Sequence, residues 1–314
     1  MRAIQVTALN GPAAVQLVDV PEPDPGNGVL VEVHAAGVNF PDVLMSRGEY
    51  QMKPELPFIP GSEVAGTVVN AGAGFEAGDR VAGFSVLGGY AERAVCDPVT
   101  LFALPDNVSF AAGAALLMNY LTVDFALVRR GRLQPGETIL VQGAAGGIGV
   151  ATIQLAKVMG ATVIAVVSTE EKGEIARKAG ADEVVLADGF LPAVKGRVDV
   201  VMDPVGGDRF TDNLRALKPE GRLLVVGFTG GSIPEVRVNR LLLNNVSVVG
   251  LGWGAFWMSQ PAYLREQWAR LLPYLSSGEL QPLLGNSYPL ERAADALLEL
   301  DERRALAKVV ITPR

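Results

Sequence analysis

The sequence predicts a two-domain α/β protein, with a doubly wound parallel sheet in one domain and a mostly antiparallel β-barrel in the other. Between residues 119 and 257, apolar strands alternate with helical segments, the order that builds parallel sheets covered by helices. Residues 1–118 instead contain short apolar runs bounded by Gly- and Pro-rich turns, which is typical of antiparallel strands. The length of 314 residues also favours two hydrophobic cores over one.

Five segments predict the strands of the first domain, and each is bounded by turn signals such as Pro-Gly, Ala-Gly or Gly-Asp. They are "RAIQVTAL" (2–9), "GVLVEVHAAGV" (28–38), "VAGTVVNAG" (64–72), "DRVAGFS" (79–85) and "YAERAVCD" (90–97). Their short alternating pattern predicts an antiparallel, partly open barrel.

Six apolar segments predict the strands of the second domain, and they are apolar nearly throughout because helices cover both faces of a parallel sheet. They are "TILVQGA" (138–144), "ATVIAVVS" (161–168), "EVVLA" (183–187), "VDVVMDPVG" (198–206), "GRLLVVGF" (221–228) and "VSVVGLGW" (246–253). Helices are predicted over 147–159, 170–179 and 209–217.

The last part of the chain predicts two helices and a strand. The helical runs are "PAYLREQWARLLPYLSSGEL" and "LERAADALLELDERRA", and the strand is "AKVVITP". Since a strand after helices can return to an earlier sheet, we expect a discontinuous first domain of residues 1–118 and 258–314. The second domain is then residues 119–257.

The composition argues against several classes of protein. The 27 basic and 34 acidic residues give a net charge of −7, which is unlike a general nucleic-acid binder. The N-terminus lacks the apolar core of a signal peptide. The apolar run at 246–258 is too short and glycine-rich to span a bilayer. We therefore expect a cytoplasmic protein that binds neither nucleic acid nor membrane.

The single cysteine and single histidine limit the possible chemistry. Cys96 has no second cysteine with which to form an intrachain disulfide. A zinc site built from Cys and His ligands needs three or four such residues, and only Cys96 and His34 are present. A histidine-based triad would have to use His34. The sequence therefore predicts no metal centre.

A glycine-rich loop follows the first strand of the second domain and opens a helix. Ala144, Gly146 and Gly149 form the pattern A-x-G-x-x-G, in the strand–turn–helix context that the dinucleotide fingerprint requires. Gly146 would let a pyrophosphate approach the backbone, and Gly149 would let the helix pack closely on the strand. The amides of Gly147 and Ile148 would then point at the phosphate. The alternative is a tight turn without a ligand.

The end of the next strand favours NADP(H) over NAD(H). An NAD site usually has an acidic residue here, about 20 residues past the loop, whereas this chain has Ser168 and Thr169, with Lys172 one turn later. Hydroxyl groups and a lysine suit a 2′-phosphate. Glu170 and Glu171 favour NAD(H), although acidic residues are also expected at the start of a helix. Lys172 could instead belong to a solvated helix face.

Motifs along nearly the whole chain resemble those of the medium-chain dehydrogenase/reductase superfamily. They are "HAAGVNFPDVLMSRGEY", "LPFIPGSEVAGTVVNAGAG", "AGDRVAGF", "GGYAE", "GETILVQGAAGGIGVATIQLAK", "GAD", "DPVGG" and "GRLLVVGF". The chain is most similar to the zinc-independent NADPH:quinone oxidoreductase branch. This resemblance implies a Rossmann domain, a GroES-like catalytic domain and NADPH as the cofactor. It also implies a homodimer joined through the edge strand "NNVSVVGLGW".

The resemblance assigns catalytic positions in the first domain. Asn39 and Ser62 stand where zinc alcohol dehydrogenases have a Cys and a His, which again implies that no metal is bound. The residue that matches Asn39 lies beside the nicotinamide, and the one that matches Tyr50 lines the substrate cleft. Leu44 departs from the branch, which often has a second aromatic residue there, so no particular quinone is implied.

The resemblance also implies further residues around the cofactor. They are Thr122, Gly227, Phe228, Leu251 to Trp253, and Lys308. Strand-end packing is the alternative for the segments at 227–228 and 251–253, and a surface lysine is the alternative for Lys308. Asp42 and Glu63 match acidic positions for which we expect a structural role.

We therefore expect an NADPH-dependent reductase that transfers a hydride to quinones or α,β-unsaturated carbonyls. Because the chain has few residues that could bind a metal ion, we expect no metal ion to polarise a carbonyl. An electron-poor acceptor is therefore favoured. Asn39, Tyr50 or solvent would stabilise or protonate the oxygen of the reduced acceptor. The alternatives are an enoyl-thioester reductase and a redox-silent, crystallin-like protein that only binds NADPH.

Overall fold

The computed structural model describes residues 1–313, which form two compact units. Unit 1 comprises Met1–Met118 and the described residues from Pro261 onward, and unit 2 comprises Asn119–Gln260. The sequence-based domain boundaries lie at 118/119 and 257/258.

The first segment of unit 1 consists mainly of short strands. Its elements are β1 (Arg2–Gln5), β2 (Gln16–Asp19), β3 (Val29–Gly37), α1 (Phe40–Ser46), β4 (Glu63–Val68), β5 (Arg80–Phe84), β6 (Arg93–Cys96), β7 (Leu101–Ala103) and α2 (Phe110–Gly113). Single 3-10 turns occur at Pro12–Ala14 and Pro98–Thr100. β1 and β2 form a separate antiparallel pair.

Unit 2 alternates strands and helices, as the sequence predicts. Its elements are α3 (Thr122–Asp124), β8 (Thr138–Val141), α4 (Gly147–Val158), β9 (Thr162–Val167), α5 (Glu170–Ala179), β10 (Glu183–Leu186), α6 (Leu191–Val194), β11 (Val198–Asp203), α7 (Phe210–Ala216), β12 (Leu217–Val225), α8 (Asn239–Asn244), β13 (Ser247–Gly250) and α9 (Trp253–Ser259). A 3-10 turn at Gly207–Arg209 precedes α7.

The last segment of unit 1 completes its sheet. It contains α10 (Ala262–Ser277), β14 (Leu284–Pro289), the 3-10 turn Leu290–Arg292, α11 (Ala293–Asp301) and β15 (Lys308–Thr312). β15 pairs antiparallel with β3 and parallel with β14. The strand order is β14-β15-β3-β4-β5-β7, and β6 also pairs with β3. The final strand therefore returns to the first unit, as expected from the sequence.

The core of unit 1 lies between this sheet and helix α11. Val31, Val64 and Val309, from three different strands, are buried in one cluster with Ala296 and Leu297 of α11. Burying such side chains is the main favourable contribution to folding. The cluster holds the ends of β3, β4 and β15 at fixed positions.

Unit 2 contains a six-stranded, wholly parallel sheet. The strand order is β10-β9-β8-β11-β12-β13, so the direction of winding reverses between β8 and β11. In open sheets of this kind, ligands bind outside the carboxyl ends of the strands at this switch point. The loop that follows β8 is the glycine-rich loop.

The helical stretch Phe110–Arg130 is long and apolar enough to cross a membrane, but 78% of its apolar window is buried inside the protein. This burial is typical of a core helix in a soluble protein. Two parts of the stretch, Leu117–Leu121 and Phe125–Arg130, have π-helical hydrogen bonding.

Candidate functional site

The glycine-rich loop of unit 2 combines one tightly packed glycine with one open glycine. A Cβ on Gly149 would lie 2.4 Å from the carbonyl oxygen of Gly143, so only glycine lets α4 approach the loop. A Cβ on Gly146 would meet nothing nearer than the same oxygen, at 3.5 Å. Gly143 itself has a φ of +59°, which favours glycine. Ala144 is buried, and its N–H donates to Val166 O at 3.2 Å.

Helix α4 begins directly behind the open glycine and presents bare amides. Gly146 is its N-cap residue and has no side chain with which to cap this end. The first amides of a helix have no intrahelical acceptor, and here they belong to Gly147 and Ile148. Uncapped amides at the positive end of a helix favour an anion. The loop therefore has the form that a dinucleotide pyrophosphate requires.

The end of β9 places Ser168, Thr169 and Lys172 at the same edge of the sheet. Ser168 and Thr169 are exposed, and Lys172 is half-buried. Thr169 Oγ1 accepts a hydrogen bond from the backbone N–H of Lys172 at 3.3 Å and so caps α5, a role that the sequence analysis missed. Glu170 pairs with Arg177 at 2.7 Å, which directs its carboxylate along the helix. The assignment of this edge to a 2′-phosphate stays a prediction.

A buried polar chain fixes the loop after β11. Asp203 Oδ1 accepts the N–H groups of Val205 and Gly206, both at 2.9 Å. Asn213 Nδ2 donates to Asp203 Oδ2 at 3.1 Å, and Gln142 Nε2 donates to Asn213 Oδ1 at 2.7 Å. Burial raises the pKa of Asp203. Within residues 1–313, Gln142 Oε1 has no hydrogen-bond partner.

The sequence analysis did not predict these hydrogen-bonded side chains. A polar residue at the end of a buried apolar strand could have indicated them. Gln142 follows β8 directly, as Asp203 ends β11. The two loops also touch, because a Cβ on Gly143 would lie 3.2 Å from Val205. These hydrogen-bonded side chains thus hold the glycine-rich loop next to the loop after β11.

The remaining predicted cofactor residues of unit 2 follow the ends of its strands. Gly227 and Phe228 come after β12, and Phe228 is exposed. Leu251 donates its N–H to Val225 O at 3.1 Å. Trp253 begins α9, is buried, and packs against another indole with ring centroids 6.0 Å apart. Thr122 is buried in α3. Their contact with a cofactor stays a prediction.

Unit 1 brings together three side chains that are distant in the sequence. The ammonium group of Lys308, at the start of β15, donates to Asn39 Oδ1 at 2.7 Å and to Glu63 Oε1. Asn39 Nδ2 donates to the same Glu63 oxygen at 2.9 Å. Lys308 and Asn39 are each 4% exposed, and Glu63 is fully buried. The alternative of a surface lysine at 308 is therefore wrong.

A second buried carboxylate supports this cluster. Asp42 Oδ2 accepts the backbone N–H of Asn39 at 2.9 Å and the hydroxyl of Tyr90 at 2.8 Å, and Gly61 N–H donates to Oδ1 at 3.3 Å. Burial raises the pKa of Asp42 from 3.8 to about 6, although these hydrogen bonds and the charge of Lys308 favour the ionised form. Its contacts are those of the structural residue expected from the sequence.

Tyr50 lies at the edge of a small apolar cluster in unit 1. It packs against the buried side chains of Val6, Met45 and Phe58. Burial, followed by the charge of Asp42, raises the pKa of Tyr50 above its ordinary 10. The phenol, which is protonated at neutral pH even at its ordinary pKa, can act as a hydrogen-bond donor.

The positions that correspond to zinc ligands hold neutral side chains. Ser62 Oγ lies 3.5 Å from Asn39 Nδ2. Over residues 1–313, no three or more His, Cys, Asp or Glu side chains are grouped so that they could hold a metal ion. Cys96 is buried in the core of unit 1, where burial raises its pKa to about 12. His34 is half-buried, with Nε2 3.4 Å from Thr67 Oγ1.

Two family models match the chain. The alcohol dehydrogenase GroES-like domain matches residues 25–106, and the zinc-binding dehydrogenase model matches residues 147–277. The second description mentions zinc, yet Asn39 and Ser62 lie outside its range. Quinone oxidoreductase-like protein 2 of Rattus norvegicus is 41% identical, over 99% of this chain and 92% of its own length.

Solved structures extend the similarity over the whole chain. A probable oxidoreductase from Mycobacterium abscessus is 44% identical with a TM-score of 0.89, and the match covers 100% of this chain and 99% of that one. The quinone oxidoreductase of Escherichia coli, solved as a complex with NADPH, is 30% identical with a TM-score of 0.91, and both chains are covered completely.

Proposed function

Because the chain belongs to the medium-chain dehydrogenase/reductase superfamily, among the quinone oxidoreductases, we propose that it is an NADPH-dependent oxidoreductase. Its acceptors are quinones or α,β-unsaturated carbonyls. The predicted fold class, a Rossmann sheet with a GroES-like domain, is confirmed. The observation that carries the proposal is the glycine-rich loop at the switch point, where the open Gly146 is itself the N-cap of helix α4.

Unit 2 supplies the residues that would hold NADPH. The amides of Gly147 and Ile148 would bind the pyrophosphate, and Ser168 and Lys172 would bind the 2′-phosphate. The nicotinamide half would be lined by Thr122, Gly227, Phe228, Leu251 and Trp253. When bound, the cofactor supplies the hydride, and the protein supplies binding, orientation and exclusion of water.

Unit 1 would act on the acceptor. An electron-poor ring or double bond accepts a hydride without a metal ion, and its oxygen then takes a proton. The phenol of Tyr50 is protonated at neutral pH, and its raised pKa keeps it so, so it can donate a hydrogen bond to that oxygen. Asn39 is proposed as the second residue that orients the acceptor.

The test follows NADPH oxidation at 340 nm with 1,4-benzoquinone, with an enone and with crotonyl-CoA, in the presence and absence of EDTA. Turnover with the quinone or enone that EDTA leaves unchanged is the expected result. Turnover with crotonyl-CoA alone would replace the proposal by an enoyl-thioester reductase. Tight NADPH binding without turnover on any acceptor would show a redox-silent protein.

We also propose that the protein is a cytoplasmic homodimer joined through β13, the edge strand of the unit 2 sheet. The neighbouring α8 exposes Leu242 and Leu243, at 76% and 75%. Exposed edges and large apolar side chains favour association. Light scattering should give twice the 33.0 kDa of the chain, and Leu242→Glu with Leu243→Glu should give a monomer. A wild-type monomer at micromolar concentration would refute this assembly.

A further inference from the structure

Lys308 is a buried cation whose partners come from distant parts of the chain. Its Nζ contacts Asn39 and Glu63, which are 269 and 245 residues away in the sequence. Removing two charges from water is costly, and a buried ion pair often stabilises a fold no better than apolar residues of similar volume. The pair therefore calls for an explanation other than stability.

The two charges give the amide of Asn39 a single orientation. Its oxygen faces the ammonium group of Lys308, and its nitrogen faces the carboxylate of Glu63 at 2.9 Å and Gly37 O at 3.3 Å. A rotation of the amide by 180° would set NH₂ against the ammonium group and the oxygen against the carboxylate. Charge-assisted hydrogen bonds are stronger than neutral ones, so both contacts disfavour the rotated form.

The backbone leaves space for this arrangement. A Cβ on Gly37 would lie 2.5 Å from Glu63 Oε1 and 2.2 Å from Ala114 O, so a larger residue would displace the carboxylate. The other oxygen of Glu63 is held by the N–H of Met118 at 2.8 Å. Glu63 is thus fixed at both oxygens. An ammonium group has three N–H bonds. Within residues 1–313, the ammonium group of Lys308 has two acceptors, Asn39 Oδ1 and Glu63 Oε1.

We propose that Lys308 is a positioning residue for the reaction, which acts through Asn39. Together with Glu63 it fixes the amide dipole of Asn39, which is one of the residues that stand where related enzymes have metal ligands. This inference rests on the proposed function. The acceptor gains a hydride with its two electrons from the reduced nicotinamide, and a proton from solvent completes its reduction. An amide that is already held in one orientation can position the acceptor without rearranging during the reaction.

The experiment compares three variants of the full chain, Lys308→Met, Glu63→Gln and the double variant. Lys308→Met keeps the volume of the side chain but removes its charge, so kcat should fall about a hundredfold. The Kd for NADPH, measured by fluorescence titration, should stay within about threefold of wild type. The reason is that the substitution removes an interaction that acts during hydride transfer and not one that binds NADPH in the ground state. Lys218→Met is the control, because Lys218 forms an ion pair with Asp199 at 2.7 Å in unit 2, although a more exposed one, and its loss should leave kcat unchanged.

The double variant separates positioning from stability. Lys308→Met alone leaves Glu63 charged and unpaired, so its Tm should fall, and adding Glu63→Gln should recover much of that loss. If Lys308 positions Asn39, kcat stays low in the double variant. If kcat recovers together with Tm, the ion pair is only structural and the inference is overturned.

A spectroscopic measurement tests the inference without turnover. In the ¹H–¹⁵N spectrum of the protein without NADPH, the side-chain amide of Asn39 is identified by its loss in Asn39→Asp. Its resonances should shift in Lys308→Met and stay in place in Lys218→Met. Unchanged resonances would overturn the positioning role even if the wild-type protein proved inactive, whereas inactivity of the wild type would refute only the proposed function.

Discussion

Gly146→Ala should weaken NADPH binding about ten- to a hundredfold while leaving the fold intact. Gly146 has φ −85° and ψ 175°, a conformation that alanine adopts without strain. The added methyl group meets no protein atom closer than 3.5 Å. We expect it to occupy the space through which a pyrophosphate would approach the amides of α4.

The expected loss of binding free energy equals the contribution of the hydrogen bonds that the methyl group prevents. A hydrogen bond to a charged group contributes about 1.5–3 kcal/mol, so the loss of one such bond raises Kd about ten- to a hundredfold. Loss of the Gly N-cap changes the free energy of unfolding by less than about 1 kcal/mol. The assay pairs fluorescence titration with NADPH and thermal unfolding of the protein without NADPH.

Gly149→Ala is the variant to compare with Gly146→Ala, because it adds the same methyl group at the tightly packed glycine of the loop. Its Cβ would lie 2.4 Å from Gly143 O and 2.6 Å from backbone atoms of Ala144. Because backbone must move, this variant should lose about 1–3 kcal/mol of stability as well as affinity. Wild-type affinity in Gly146→Ala would show that the loop does not hold the pyrophosphate. Equal destabilisation of the two variants would show that the contact distances do not describe the packing of α4.

Three further results are expected. Lys172→Gln should lower the ratio of kcat/KM for NADPH to that for NADH about tenfold or more, because a charged partner of the 2′-phosphate is lost. The pKa of Asp42 is higher in the folded protein than its ordinary value, about 6 against 3.8, so the native state binds more protons between these values and its stability falls as pH rises through them. Asp42→Asn should therefore remove a decrease of about 2 kcal/mol in the free energy of unfolding between pH 4 and pH 7, measured by urea denaturation. Cys96 should react with a thiol reagent only in denaturant, because it is buried and its pKa is raised to about 12.

Each of these expectations has its own control. Lys178→Gln lies on the same helix α5 and should keep the preference for NADPH; an equal change in both variants would indicate a general charge effect. A slope between pH 4 and 7 that persists in Asp42→Asn would assign the pH dependence to other groups. Rapid modification of the native thiol would show that the core around Cys96 opens readily.

The sequence predicts local elements well where their ends are marked chemically. Helix α5 has the predicted bounds, because Thr169 caps its start and Gly180, with φ +107°, ends it. The strands of unit 2 were found because apolar runs separated by glycines stand out. Strands β2, β7 and β14 were missed, since they are short or largely exposed and carry no strong alternation.

The candidate site was predictable where it depends on a contiguous motif. The glycine-rich loop is such a motif, and Asn39 was found through the resemblance of its surrounding segment. The burial of Lys308 was not predictable, because its partners lie just after β3 and at the start of β4, and only pairing of β15 with β3 brings them together. The buried chain from Gln142 to Asp203 likewise depends on the order of strands.

The return of β15 to the sheet of unit 1 sets an order for folding during synthesis. All residues of unit 2 leave the ribosome before residues 308–312, so unit 2 can close its sheet while β3, which also pairs with β4 and β6, still lacks β15. Until β15 arrives, the carboxylate of Glu63 has no cation beside it, and the edge of β3 is open to other chains. Truncation before Lys308 should therefore yield a protein in which unit 2 is folded and which aggregates through unit 1.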